Sequence, residues 1–340
     1  MDDAPRHHRS VSRPAPTPFA RLRQVTCLAL IALFLYPPSL EARSSRKRTS
    51  ASPKGPTSMQ FQEIHDAARI KLIAEGAILL DAFTGETLYE KNSGERLYPA
   101  SSTKMLTALL VIEAGHLDQE VEIALEDTQV EPTSIGFKTG EHYTRRQLLY
   151  ALLLKSANDV AHALARDNAG SVEAFAAKMT YRAHQLGATS SQFRNPHGLH
   201  DKEHYSTPHD MALIARTAMQ QPMFRQLVGT GEYDWESPRG TTHLRNSNKL
   251  LVTFEGCTGG KTGYTNAARH VLVCAASREH REVISVVMRS DKAGKWTDTS
   301  QLLSYGLLQP APVPVLPELV ETASQGVTSA VRNPTSTPHP

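Results

Sequence analysis

A serine and a lysine three residues apart, Ser101 and Lys104, stand at the head of the apolar run MLTALLVIEAG. A serine hydroxyl is a weak nucleophile until a neighbouring base takes its proton. On a helix this spacing puts both side chains on one face, within hydrogen-bond reach. An ammonium cannot accept a proton, so Lys104 has to be neutral in the acting state, through burial or through a second cation such as Lys261. The helix N-terminus adds a positive dipole end where an oxyanion would develop. Ser-x-x-Lys alone is common, and its bland reading is a polar cap followed by a surface lysine. The flank argues otherwise, because Tyr98-Pro99-Ala100 delivers the serine rigidly and the helix behind it is apolar.

Two further segments supply partners. Ser156-Ala157-Asn158 emerges from an apolar helix into a short loop, where a hydroxyl and an amide can point inward. Ser156 could relay a proton between Lys104 and a leaving amine, and Asn158 could hold both the lysine and a substrate amide. In isolation such a segment is an ordinary helix cap. In Thr258-Gly259-Gly260-Lys261-Thr262-Gly263 the glycines let a substrate backbone lie alongside as an added strand would. Lys261 offers a cation and Thr262 a hydroxyl to a terminal carboxylate, and the backbone N–H of Tyr264 could join that of Ser101 as an oxyanion hole. A phosphate loop is excluded: it needs a glycine six residues before the lysine, where this chain has Glu255, and a helix afterwards, where a strand pattern follows.

The elements that must position these groups follow from periodicity. Gly76 to Asn92 reads as a β-hairpin turning near Phe83 to Glu86. A helix runs from about Ser101 to Gly115, and Thr144 with Gln147 forms a capping box that opens a second helix, Arg145 to Lys155. Further helices are expected at Asp159 to Arg166, Val172 to Leu186 and Asp210 to Met219. The period then changes to two: Glu232 to Glu236, Gly260 to Thr265, Ala268 to Ser277 and Val283 to Arg289 are expected strands of an antiparallel sheet, with a closing helix at Thr297 to Leu308. The layout is α+β, with the nucleophile at the junction of helical block and sheet.

The ends read differently. Residues 1–42 carry Arg6, Arg9, Arg13, Arg21 and Arg23, then an apolar run from Val25 to Tyr36, the pattern of a signal peptide or N-terminal anchor. Twelve residues fall short of the roughly 20 a spanning helix needs, so the signal reading is preferred. Residues 43–58 form a basic linker that could touch an anionic membrane surface, 59–308 one large domain, and 309–340, with seven Pro, a disordered tail. Taking five Arg and three acidic residues of the first 42 from totals of 37 and 34 leaves 32 basic and 31 acidic groups, which gives no field for nucleic acid. Export would permit a Cys257–Cys274 disulfide, although buried free thiols are equally ordinary in such strands.

With the motifs in this order, the chain resembles the serine-type D-Ala-D-Ala carboxypeptidases, the low-molecular-weight penicillin-binding proteins, across roughly residues 70 to 308. PASSTKMLTALL, LLLKSANDVAHALA, NPHGLHDKEHYST and GGKTGYTNAA carry the resemblance. It implies a β-lactamase/transpeptidase-like fold, with Ser101 as the acylated nucleophile, Lys104 its proton acceptor and Ser156 the relay. Asn158, Lys261, Thr262, Gly263 and Tyr264 would then bind substrate. It also implies a peptidoglycan stem peptide as substrate, β-lactams as covalent inhibitors, no metal or organic cofactor, and action in the periplasm or at the extracytoplasmic membrane face. Ala157 replaces a glycine common in relatives, and an arginine that assists the carboxylate has no secure counterpart around Lys292 to Trp296.

Three rivals share parts of the pattern. A D,D-endopeptidase or a β-lactamase would use the same nucleophile, but the latter needs a deacylating acid, and FRNPHGL has none. His197, His200, His204 and His209 with Asp201 and Asp210 could suggest a zinc peptidase, yet Gly198 and Pro208 break any common face. A weakly active wall-binding scaffold would not require every catalytic residue to be present.

Overall fold

The computed structural model describes residues 66–310. The signal or anchor, the basic linker and all but the first two residues of the Pro-rich tail lie outside them. The first strand, β1 (Gly76–Asp81, GAILLD), is buried at every position because both its faces are covered. Ile78 and Leu80 pack into the helical block, whereas Ala77 and Leu79 pack toward the last helix. The expected hairpin closes through β2 (Thr87–Lys91), its turn held by Asp81 Oδ1, which accepts from the backbone N–H of Phe83 and Thr84.

The helical block begins with a 3₁₀ turn at Ala100–Thr103 and continues as α1 (Lys104–Ala114), stopped by Gly115 at φ 72°. A small pair of strands, β3 (Glu120–Glu122) and β4 (His142–Thr144), leads into α2 (Arg145–Tyr150). The Thr144–Gln147 capping box forms as read, but beyond Tyr150 the expected continuous helix widens into a π-helical turn, Ala151–Lys155. Then come α3 (Asn158–Ala169), α4 (Val172–Gln185), α5 (Pro208–Met219) and α6 (Pro222–Gly229), the last unanticipated from sequence.

The strand at β5 (Glu232–Ser237) does not join the main sheet, contrary to expectation. It pairs with β6 (Gly240–Arg245) as a separate hairpin, because its aromatic face belongs to the helical block. Trp235 is fully buried, stacks on Tyr143 at 4.9 Å and donates its Nε1–H to the carbonyl of Gln147, while Tyr233 stacks on Tyr150 at 3.8 Å. A short α7 (Leu250–Thr253) precedes β7 (Cys257–Thr265), β8 (Arg269–Arg278) and β9 (Arg281–Ser290), and α8 (Gly294–Leu308) closes the fold.

The main sheet is antiparallel in the order β2-β1-β9-β8-β7, sandwiched between α8 and the helical block. That is the expected α+β arrangement. Strand β7 lies at the sheet's edge, so one side of its backbone is open to an added strand.

Candidate active site

The turn that carries Ser101 is held from two sides. Ala100 adopts φ 49°, a conformation that costs a non-glycine residue on the order of 1–3 kcal/mol unless its surroundings enforce it. Gly198 presses in from one loop: a Cβ there would fall 1.8 Å from the Ala100 carbonyl oxygen. Gly263 of β7 approaches from the other side, where a Cβ would lie 3.0 Å from both Ala100 Cβ and the Ser101 backbone nitrogen. Both glycines are required for the strand and loop to come this close.

Lys104, in the first turn of α1, has no exposed surface. Its Nζ reaches Asn158 Oδ1 at 2.7 Å, the His197 carbonyl at 2.8 Å and Ser101 Oγ at 3.2 Å. Burial, and then the charge of Lys261, hold its pKa well below the usual lysine value, with Asp159 pulling weakly the other way. A neutral amine has two hydrogens and one lone pair. Two of its three neighbours are oxygens that can only accept, so the lone pair is left for Ser101.

Ser156 ends the π-helical turn in the left-handed conformation, φ 66° and ψ 32°, and Asn158 opens α3 two residues later. The backbone reversal turns both side chains inward. Asn158 bonds Lys104, while Ser156 Oγ accepts from Lys261 Nζ at 2.8 Å. Lys261 is also buried and donates to the Thr262 carbonyl. Burial, followed by the charge of Lys295, lowers its pKa to about 7. Thr262 Oγ1 lies 2.7 Å from Ser247 Oγ, and Tyr264 is 56% exposed at the end of β7. Beside Tyr264 opens a cavity of about 400 Å³, lined by Pro132, Leu199 and His200 and by the segment from Tyr264 to Ala267. All eight residues singled out by sequence therefore occur along the junction of β7, the Ser101 turn and the Ser156 loop.

Three contributors escaped the sequence reading. Asp159, buried beside Asn158, accepts from the backbone N–H of Ile135, Gly136 and Val160, and so fixes the loop whose Thr133 carbonyl takes the Asn158 N–H. Ser247 reaches the rim of β7 from the end of the β5–β6 hairpin segment. Lys295, half-buried, lies 4.7 Å over the Trp296 ring with Nζ 3.3 Å from His270 Nδ1. Of these only Lys295 had a signal, its place in the segment where a carboxylate-assisting cation was sought.

Two of the histidines, His197 and His204, serve the scaffold. His204 Nδ1 accepts from the Arg194 N–H, which leaves Nε2 to donate to Thr103 Oγ1 at 2.9 Å. His197 lends its carbonyl to Lys104 and its Nδ1 to the Leu199 N–H. Burial first, then the Lys104 charge, lowers the His197 pKa to about 2; burial lowers that of His204 to about 4. Cys257 and Cys274 are free thiols, their sulfurs 3.4 Å apart.

Comparison with known proteins adds identity to this geometry. A family model described as D-alanyl-D-alanine carboxypeptidase, Peptidase_S11, matches residues 62–292. The D-alanyl-D-alanine carboxypeptidase DacF of Bacillus subtilis is 33% identical over 268 residues, covering 77% of this chain and 64% of that protein. DacB2 of Mycobacterium tuberculosis is 36% identical over 239 residues, 68% of this chain and 82% of its own length. The crystal structure of the Streptomyces K15 DD-transpeptidase superposes with a TM-score of 0.67 at 32% identity, over 70% of this chain and 98% of that one.

Proposed function

The chain belongs to the D-alanyl-D-alanine carboxypeptidase family, Peptidase S11, and from that premise we propose that it removes the terminal D-alanine of peptidoglycan stem pentapeptides through an acyl-Ser101 intermediate. The observation that carries this reading is the environment of Lys104: a buried amine with two accepting oxygens and the Ser101 hydroxyl as its third neighbour.

The substrate backbone lies along the open edge of β7, with its terminal carboxylate toward Thr262 and the Lys261–Lys295 cations. Ser101 Oγ attacks the D-Ala-D-Ala carbonyl carbon as Lys104 takes its proton. The backbone N–H groups of Ser101 and Tyr264 receive the developing oxyanion, a term usually among the largest in acyl transfer. Collapse of the tetrahedral species expels D-alanine, whose amine needs a proton. Ser156 supplies it and takes in turn the proton that Lys104 gained from Ser101, so that Lys104 is neutral again, while the Lys261 ammonium hydrogen-bonded to the Ser156 oxygen supports the relay. Water then attacks the acyl-ester with Lys104 again as base, returning Ser101.

A β-lactam presents a strained amide in place of that bond and acylates the same serine. Among the described residues no Asp or Glu side chain is hydrogen-bonded to Ser101 or Lys104, which favours a long-lived adduct over turnover. The site of action is the extracytoplasmic face of the membrane, with residues 1–42 as export signal or anchor. Among the described residues no helix is long and apolar enough to cross a membrane.

Intact-mass spectrometry of the full chain with benzylpenicillin, beside Ser101→Ala, tests the reading. A single stable penicilloyl adduct on the parent and none on the variant is expected, followed by D-alanine release from a pentapeptide. An adduct that persists in Ser101→Ala would sink the assignment, and rapid hydrolysis of the drug would turn it toward a β-lactamase.

A further inference from the structure

Behind the substrate strand, on the face that packs against α8, lie two thiols the mechanism does not use. Cys257 opens β7 and Cys274 sits in the middle of β8, where Gly260 pairs with Cys274 and a bulge separates Cys257 from Gly259. The bulge swings the Cys257 side chain across the ladder, so that the two sulfurs are in contact at 3.4 Å. Asn248, 2% exposed, spans them: its Nδ2 lies 3.8 Å from Cys257 Sγ and 3.6 Å from Cys274 Sγ. Its own Oδ1 is held by the Leu250 N–H and its N–H by Asn246 Oδ1, so the amide cannot swing away freely.

The two thiols are not equivalent. Cys274 is fully buried among Leu272, Leu250 and Phe254, whereas Cys257 is only partly covered. We propose that Cys257 and Cys274 form a thiol–disulfide exchange site, Cys257 attacking a small-molecule disulfide from the solvent side and Cys274 resolving the product. The proposal is independent of the peptidase reading.

The electrostatics run the same way. Cys274 hydrogen-bonded to Cys257, with help from the Gly259 N–H and Asn248, lowers the Cys257 pKa against the opposing effect of burial. The same contact and burial raise that of Cys274 well above the usual thiol value. The thiolate is the attacking species, so the first step belongs to Cys257. Its sulfur displaces one half of the incoming disulfide as a thiolate and leaves a mixed disulfide on the protein. That removes the neighbouring anion that held Cys274 protonated. Cys274 Sγ then attacks Cys257 Sγ, a Cys257–Cys274 bond forms, the second thiol departs, and the Cys274 proton passes to it. Two electrons and two protons have moved from the protein pair to the small disulfide. The bond formed ties β7 to β8 at the Gly260–Cys274 pair, next along the ladder to Lys261 and Val273, and Asn248 adjoins Ser247 in sequence.

The test uses the full reduced chain, oxidised glutathione as oxidant and peptide mapping over time. The expected course is a transient glutathionyl group on Cys257, followed by a peptide in which Cys257 is joined to Cys274 with loss of two hydrogens. Cys274→Ala should hold the glutathionyl group on Cys257 as an end product, and Cys257→Ala should leave Cys274 unmodified. The proposal is overturned by modification of Cys274 ahead of Cys257, or by both thiols staying reduced while Cys27 in the same sample reacts. If either variant fails to melt cooperatively, the order of products in the parent decides alone.

Discussion

In the proposed reaction Lys261 acts as an ammonium, supporting Ser156 and facing the substrate carboxylate, yet its pKa is brought down to about 7 by burial and by the nearby charge of Lys295. The cation is therefore lost as pH rises through that value. Lys104 needs the opposite state, and burial together with the charge of Lys261 holds its pKa well below the usual lysine value, which favours the neutral base. The two lysines set the two limbs of a bell-shaped profile. Removing the Lys295 charge relieves a like-charge repulsion and raises the Lys261 pKa, so Lys295→Gln should move the basic limb of kcat/KM to higher pH. A pH–rate series on a pentapeptide checks it. A slower enzyme whose basic limb stays in place would confine Lys295 to carboxylate contact or packing.

At the scale of elements, activity depends on how closely β7 approaches the Ser101 turn, and Gly263 sets that distance. Gly263→Ala places a methyl group 3.0 Å from Ala100 Cβ and the Ser101 nitrogen, contacts that must open by a few tenths of an ångström. Because a misplacement of a full ångström can cost about a hundredfold in rate, penicilloyl formation should slow by up to roughly that factor, while overpacking costs only about 1–3 kcal/mol of stability. Stopped-flow acylation beside a thermal melt separates the effects, and a parental acylation rate in a folded variant would contradict the argument. The elements that carry these contacts were mostly legible. GAILLD, the Thr144–Gln147 box and the period-two runs of β7 to β9 announce themselves locally, as do the three motifs. What was hidden depends on distant partners. The alternation in EYDWES says strand, but only Tyr143 and Tyr150 decide that its aromatic face leaves the main sheet. The π-helical turn before Ser156 has no local signature in ALLLK, and Ser247 and Lys295 meet the site through segments far from the motifs that define it.

At the scale of the whole molecule, the seam between sheet and helical block holds two buried amines that have no carboxylate in direct contact among the described residues, an arrangement favourable for chemistry and unfavourable for folding. The sign follows from proton counts. Between pH 7 and 10 the unfolded chain keeps Lys261 protonated near its ordinary value, while the folded chain has released that proton above about 7. The unfolded state thus binds more protons in that window, and stability rises with pH, by up to about 1.4 kcal/mol per unit for one such group. Lys104, whose folded value is also depressed, adds in the same direction. Stability should therefore increase from pH 7 to 9, before Tyr and the remaining Lys titrate. Lys261→Met removes one of the two contributions, so its unfolding free energy should climb less steeply over the same interval and exceed the parent's most at the neutral end, while acylation is lost. Denaturant unfolding of parent and variant at pH 7, 8 and 9 measures both slopes. Parallel slopes would mean that Lys261 titrates alike in the folded and unfolded chains, and the depressed pKa on which the basic limb of the reaction rests would fall with them.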